Sequence, residues 1–209
     1  MKKLSLIFFL SILINYTSFA QRFAENYWHP GKVFIEGGDT LSGDLKFDLQ
    51  NEIVQVNSQI GLQTLTARKV LNFQFYDSFE QKDRYYYALP YAKVSSYQTP
   101  IFFELLIQGE AVTLLTRESL VTQTYVNTNP YSFYPRIPFT NTYLKNDFYF
   151  LYKSGKIKHF DGSKKGLLYL LNDREKDIKE YLKNNRVRYD SKQDMIGIID
   201  YYNSRAAKK

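Results

Sequence analysis

The chain contains no cysteine in its 209 residues. That excludes disulfides, thiolate metal sites and a lipid anchor carried on an N-terminal cysteine, so the fold must be held by its core alone. Histidine is nearly as scarce, with only His29 and His159, and there is no HExxH pair, so a catalytic zinc site lacks its usual donors. Glycines are adjacent only at Gly37-Gly38, where no helix follows, and this rules out a dinucleotide or phosphate loop. No G-x-S-x-G elbow is present. The longest apolar stretch, Leu4 to Ile14, is interrupted only by serines and is well short of the ~20 residues that a spanning helix needs. These absences leave no cofactor to expect.

That apolar stretch is nonetheless informative. Lys2 and Lys3 precede it, and Thr17-Ser18-Phe19-Ala20 follow it, which is the pattern of a secretory signal peptide over residues 1–20 with small residues at the cleavage site. The expected mature chain starts at Gln21 with no transmembrane span, exported to the periplasm or the extracellular space and not lipid-anchored. Its charge is unevenly placed. Residues 164–209 hold 12 Lys and Arg against 7 Asp and Glu, while residues 21–163 hold 14 of each. The basic residues of the tail alternate with acids, which describes a solvated helix surface and not a nucleic-acid-binding stripe, so no nucleic-acid partner is expected.

Residues 21–163 read as an antiparallel β domain. Lys32 to Phe47 is a hairpin turning at Gly37-Gly38-Asp39, with Leu41, Gly43, Leu45 and Phe47 on one face of its second arm. Ile53–Asn57, Leu62–Thr66 and Val70–Tyr76 are further strands. Tyr85–Tyr91 is strand-like but interrupted by Pro90, which predicts an edge strand or the end of one. Phe102–Arg117 and Phe148–Phe160 are two more hairpins, turning at Gln108-Gly109-Glu110 and Lys153-Ser154-Gly155. The only tryptophan, Trp28, is placed to plug one end of the sheet, and His29 beside it reads as structural.

Val121 to Tyr143 is the least regular stretch, with Pro130, Pro135 and Pro138 among many aromatics. It reads either as a long crossover whose rings pack back on the sheet or as a recognition loop. In the second case Trp28, Tyr131, Phe133, Tyr134 and Phe139 form the candidate ligand-binding set.

From residue 164 to 209 the pattern becomes helical. Leu167, Leu168 and Leu171 share a face. Asn172 or Asp173 is expected to cap a helix whose inner face is Ile178, Tyr181 and Leu182 and which ends at Asn184-Asn185. Ser191 caps a last helix carrying Met195, Ile196, Ile199 and Tyr202. Gly197 inside that helix predicts close packing against a neighbour. A tail of this size is expected to dock on the β domain and not to stand alone.

The fold class is therefore mainly β with an α tail (α+β), an antiparallel meander or half-open barrel with two to three docked C-terminal helices. Gly38-Asp39-Thr40-x-x-Gly43 after an extended strand, Asp177-Ile178, Tyr181-Leu182 and Ile199 to Asn203 give the chain a further likeness. It resembles small exported proteins of Bacteroidota, a resemblance that implies an envelope or surface role and transfers no catalytic residue. The functional reading is a non-enzymatic envelope or secreted binding module whose partner is an envelope protein or a small ligand. Two alternatives stay open. One is a lipocalin-like pocket for an apolar or saccharide ligand. The other is a glycan-active hydrolase, which requires two carboxylates, or His159 with a partner, converging in one cleft.

Overall fold

A computed structural model describes residues 24–92, 97–125 and 138–206. The leader expected at residues 1–20 lies outside them. A one-turn 3-10 segment, Ala24–Asn26, leads into ten strands: β1 (His29–Ile35), β2 (Thr40–Asp48), β3 (Ile53–Ser58), β4 (Gly61–Thr66), β5 (Val70–Asp77), β6 (Lys82–Tyr91), β7 (Thr99–Ile107), β8 (Val112–Tyr125), β9 (Phe139–Tyr152) and β10 (Ile157–His159). Three helices follow: α1 (Lys164–Leu170), α2 (Glu175–Asn184) and α3 (Lys192–Ala206). All the strands form one antiparallel sheet in the order β10-β9-β8-β7-β6-β5-β1-β2-β3-β4. The molecule is α+β, with its strands first and its helices last.

That strand order dictates a rolled sheet. β4 and β5 are four positions apart, about 19 Å if the sheet were flat at ~4.8 Å per strand. The link from Thr66 to Val70 spans four Cα steps, at most about 15 Å. The first five strands must therefore curl toward each other without β4 and β5 pairing, and the short link is tied down by Glu36 N–H to Lys69 O and Ala67 N–H to Glu52 O. The expected alternation supplies the filling: Leu45 and Phe47 of β2, Val54 and Val56 of β3, Phe73 and Phe75 of β5 and Tyr86 of β6 all point into the roll and are buried. The rings stack, Phe73 on Tyr86 at 4.7 Å between centroids and Phe47 on Phe75 at 5.2 Å. Gly43 is required here, because a Cβ at this position would collide with the Asn57 carbonyl of β3. The GDTxxG motif thus combines a turn residue, Gly38 with φ +99°, and a close approach between strands.

The other half of the sheet is roofed by helices. Val112 and Leu114 of β8, Phe148 and Phe150 of β9 and Phe160 meet Leu167, Leu171, Ile178, Met195, Ile198, Ile199 and Tyr202 in a second core. Three details position this roof. The Ser163 hydroxyl accepts the Gly166 N–H to start α1. A Cβ on Gly197 would lie 2.9 Å from the Tyr181 hydroxyl, which brings α2 and α3 together where close packing was expected. Asn203 accepts N–H groups from Ala111 and Val112 and donates to the Val112 carbonyl, so α3 holds the β7–β8 turn. A Cβ on Gly109 would strike the Asn203 amide.

Several expectations fail at specific residues. β6 is not an edge strand; Pro90 takes the other position expected for it, near the strand's end, beyond the end of β5 in a stretch that pairs only with β7 and faces Pro100. Asn172 and Asp173 do not cap α2; they form a 3-10 turn, and Arg174 precedes the helix with no side-chain cap. Trp28 is no plug, being 45% exposed, while His29 is buried against Phe75 and bonded through Nε2 to the Ala24 carbonyl. On α3 it is Ile198, not Ile196, that is fully buried.

Candidate functional site

The sheet splits between β7 and β8. Their ladder reaches only Glu104 opposite Thr116, after a bulge at Leu105–Ile107. Past that point the β2–β3 turn fills the gap. Glu52 accepts the Phe102 N–H at 2.8 Å and pairs with Arg117 at 2.7 Å, and Arg117 also donates to the carbonyls of Leu49 and Phe102. One ion pair therefore replaces the missing ladder and clamps the rolled half of the sheet to β8.

Behind the clamp lies a buried charge network. Arg84 of β6 donates through Nε and Nη2 to both oxygens of Glu104, at 2.8 and 2.7 Å. Its Nη2 also reaches Glu118 at 2.7 Å and the Tyr86 hydroxyl at 2.6 Å, and Nη1 reaches Asp77 at 3.3 Å. Lys192, the first residue of α3, donates to Glu104 at 2.7 Å and to Glu118 at 2.5 Å. Two cations thus face three carboxylates, and Arg84, Glu104 and Asp77 are each under 3% exposed. Burial alone would raise the Glu118 carboxyl, but the charges of Arg84 and Lys192 hold it below its usual range. Burial raises the Tyr86 phenol well above normal, with Glu104 adding to it. Hydrogen-bonded charges in low dielectric behave as one unit, so this network ties four strands to the helical roof.

A cleft of about 580 Å³ opens on the outer side of the clamp. Glu25 and Asn26 border it, with Lys46, Asp48 and Gln50 from the end of β2, Arg117 to Leu120 from β8, and Asp147 and Tyr149 from β9. Glu25 is pushed up by burial first and then by the charges of Asp48 and Glu118. Asp48 is held down against burial by the Asn51 side chain and by the N–H groups of Asn51 and Gln50. A raised and a lowered carboxyl in one cleft is the pattern of an acid–base pair. Asp48, however, spends both oxygens on its own turn, accepting Gln50 and Asn51 at 2.8 to 2.9 Å, so it is a turn residue and not a free base.

Beyond the clamp, β8 and β9 leave the body together. Eight further pairs, Glu118 with Asn146 out to Tyr125 with Phe139, continue the hairpin, and no described strand pairs with either outer edge. At ~3.4 Å per residue the ribbon is about 27 Å long. No side chain from Ser119 to Tyr125 is buried. Thr122 and Thr142 share a hydroxyl hydrogen bond across the strands at 3.0 Å.

This ribbon corrects the reading of Val121 to Tyr143 as irregular: both ends of that segment are regular strand. Of the five aromatic candidates, Tyr131, Phe133 and Tyr134 lie outside the described residues. Phe139 begins β9 opposite Tyr125, and Trp28 stands immediately before β1, outside the residues that line the cleft. The interior where a lipocalin-type ligand would sit is filled by the stacked rings of the roll. His159 is half exposed, packs at a tilt against Tyr149 at 5.0 Å between ring centroids and lies 3.8 Å from Asp147. The groove beside it is lined by no serine or threonine, and nearby Ser163 is occupied in capping α1. Among the described residues no group of three or more His, Asp or Glu is placed to hold a metal. None of the described helices is long and apolar enough to cross a membrane.

Sequence reasoning missed Arg84, Glu118, Lys192 and Arg117, because each is bonded across the sheet to residues 15 to 88 positions away. Comparison with known proteins adds nothing to this geometry: no family model, curated protein or solved structure matches the chain.

Proposed function

We propose that this protein is an exported, non-enzymatic interaction module that engages a protein partner by strand addition to the β8–β9 ribbon. The observation that carries the reading is the ribbon itself: eight consecutive strand pairs with no described strand on either outer edge and, from Ser119 to Thr124 along β8, only exposed or half-buried side chains. An isolated two-stranded ribbon is marginal in water, and an open edge is a template for a further strand. Strand addition is an established recognition mode in which the backbone supplies affinity and alternate side chains supply selectivity. The rolled half and the helical roof then serve as the rigid base that holds the ribbon out, with the Arg117–Glu52 clamp and the Arg84 network fixing its root.

Export rests on the leader pattern of residues 1–20, and the envelope role on the resemblance carried by GDTxxG and the tail motifs. The test is site-specific photo-crosslinking in cells. A benzophenone side chain at Gln123 on the ribbon is expected to give a discrete higher-mass adduct, whereas the same probe at the exposed Asp83 on β6 gives none. Adducts at Asp83 but not at Gln123 would refute the reading. A second measurement, recovery of the protein in the cytoplasmic fraction with residues 1–20 intact, would refute export.

A further inference from the structure

We infer that the strand added to the ribbon is the same strand of a second copy. The chain forms a two-fold dimer in which the β8 edge from Ser119 to Thr124 pairs antiparallel with itself. This inference rests on the reading of the ribbon as an interaction element and goes on to name its partner.

Three observations lead to it. First, among the described edges the two of the ribbon are the ones whose own structure calls for a third strand, and of these the β9 edge carries Lys145 whereas Ser119 to Thr124 of β8 is uncharged. The sheet has another open edge at β4, six residues long and also uncharged, but β4 already belongs to a ten-stranded sheet and needs no addition to be stable. The edge at β10 is three residues long and carries Lys158, with Lys156 just before it, the kind of cations that discourage pairing. Second, the side chains permit self-pairing. In the register with Thr122 on the two-fold axis, Leu120 faces Thr124, Val121 faces Gln123 and Thr122 faces Thr122. Ser119 to Thr124 contains no charged residue, so an edge laid against its own copy meets no like charge. The neighbouring carboxylate, Glu118, is turned inward and neutralised by Arg84 and Lys192. A closed two-fold contact of this kind is isologous, satisfying the same donors and acceptors on both copies.

Third, the geometry allows it. Thr122 stands five residues beyond Arg117, about 17 Å from the clamp at ~3.4 Å per residue, so the two bodies are held apart while their ribbons merge into a four-stranded sheet. In that arrangement the outer end of each ribbon runs toward Ser119 and Leu120 of the other copy, two residues that border the cleft. Each cleft is then edged by both chains.

The absence of native cysteine makes the test clean. The purified protein is expected to sediment as a dimer at about 100 µM, a concentration at which even weak strand pairing is populated. Thr122→Cys provides a single thiol, and directly opposed antiparallel residues lie within disulfide reach, so mild oxidation should give a covalent dimer. Gln63→Cys on β4 should not. Thr122 is exposed, so charge can be placed there without touching the core. Thr122→Lys and Thr122→Glu should each weaken the dimer by about tenfold or more, and mixing the two variants should restore it. A monomer at this concentration, or a dimer that crosslinks through Gln63 and ignores Thr122, overturns the inference. A monomer that still gives a Gln123 adduct of another protein in cells overturns the dimer and leaves the interaction reading standing; a monomer with no such adduct removes both.

Discussion

Replacing Lys192 with methionine removes one charge from the buried network and leaves the aliphatic stem in place. Its ammonium touches Glu104 at 2.7 Å and Glu118 at 2.5 Å, and once it is gone Arg84 alone faces three carboxylates. Breaking a fully buried ion pair costs about 3–5 kcal/mol. The Lys192 side chain keeps 15% exposure and Arg84 still neutralises part of the charge, so the expected loss is smaller, about 2–3 kcal/mol. For a chain of this size that corresponds to a drop of roughly 4–12 °C in Tm. The loss should depend on pH in a defined direction. Against the upward push of burial, Arg84 and Lys192 lower the Glu118 carboxyl in the folded state, so the stability it contributes is present above its unfolded value, near 4.5, and is lost as pH falls through the folded one. The difference between parent and Lys192→Met should therefore be full at pH 7 and shrink below about pH 4.5 as Glu118 protonates. Urea denaturation at a series of pH values measures it. A variant within about 0.5 kcal/mol of the parent at pH 7, or an equal deficit at every pH, would show that Lys192 contributes only through its stem and would refute the electrostatic argument.

Asn203→Ala strips partners from two N–H groups and one carbonyl of the β7–β8 turn, and a loss of about 1–3 kcal/mol by chemical denaturation is expected. Glu25→Gln should act in the opposite direction. A carboxyl raised in the folded state costs stability as pH climbs through its unfolded and then its folded value, so the variant should melt higher than the parent at pH 7 and equally below about pH 4. Truncation after Gly162 uncovers Val112, Leu114, Phe148, Phe150 and Phe160, and the product should lose its cooperative melting transition and aggregate on a sizing column.

The parts legible in sequence were those whose signal is local. The first hairpin announces itself through a turn and an alternating arm, and the pattern at Leu45 and Phe47 correctly marks the core side of β2. Gly197 likewise reports its neighbour, because glycine inside a helix needs a packing reason. The ribbon was not legible, for a physical reason: a strand pair with water on both faces has no apolar side, so Thr-Gln-Thr and Thr-Asn-Thr give no period to read. Three nearby prolines then suggested a loop. The charge network was illegible for a different reason. Glu104 sits in an apolar strand and Arg84 among tyrosines, and nothing in either neighbourhood identifies a partner 20 residues away or a lysine 88 residues away. Pro90 left two positions open, an edge or a strand end, and the local sequence could not choose between them because either satisfies a residue with no N–H; the structure takes the strand end.

The dependence of the β7–β8 turn on Asn203 has a kinetic consequence. Ala111 finds its hydrogen-bond acceptor 92 positions later in the chain, whereas most strand pairs join consecutive strands. The rolled half and the ribbon can therefore condense from neighbouring segments, while the middle of the sheet must wait for the last helix to arrive and close this long loop. Folding should finish at this seam, and under thermal or mechanical stress the molecule should come apart there first.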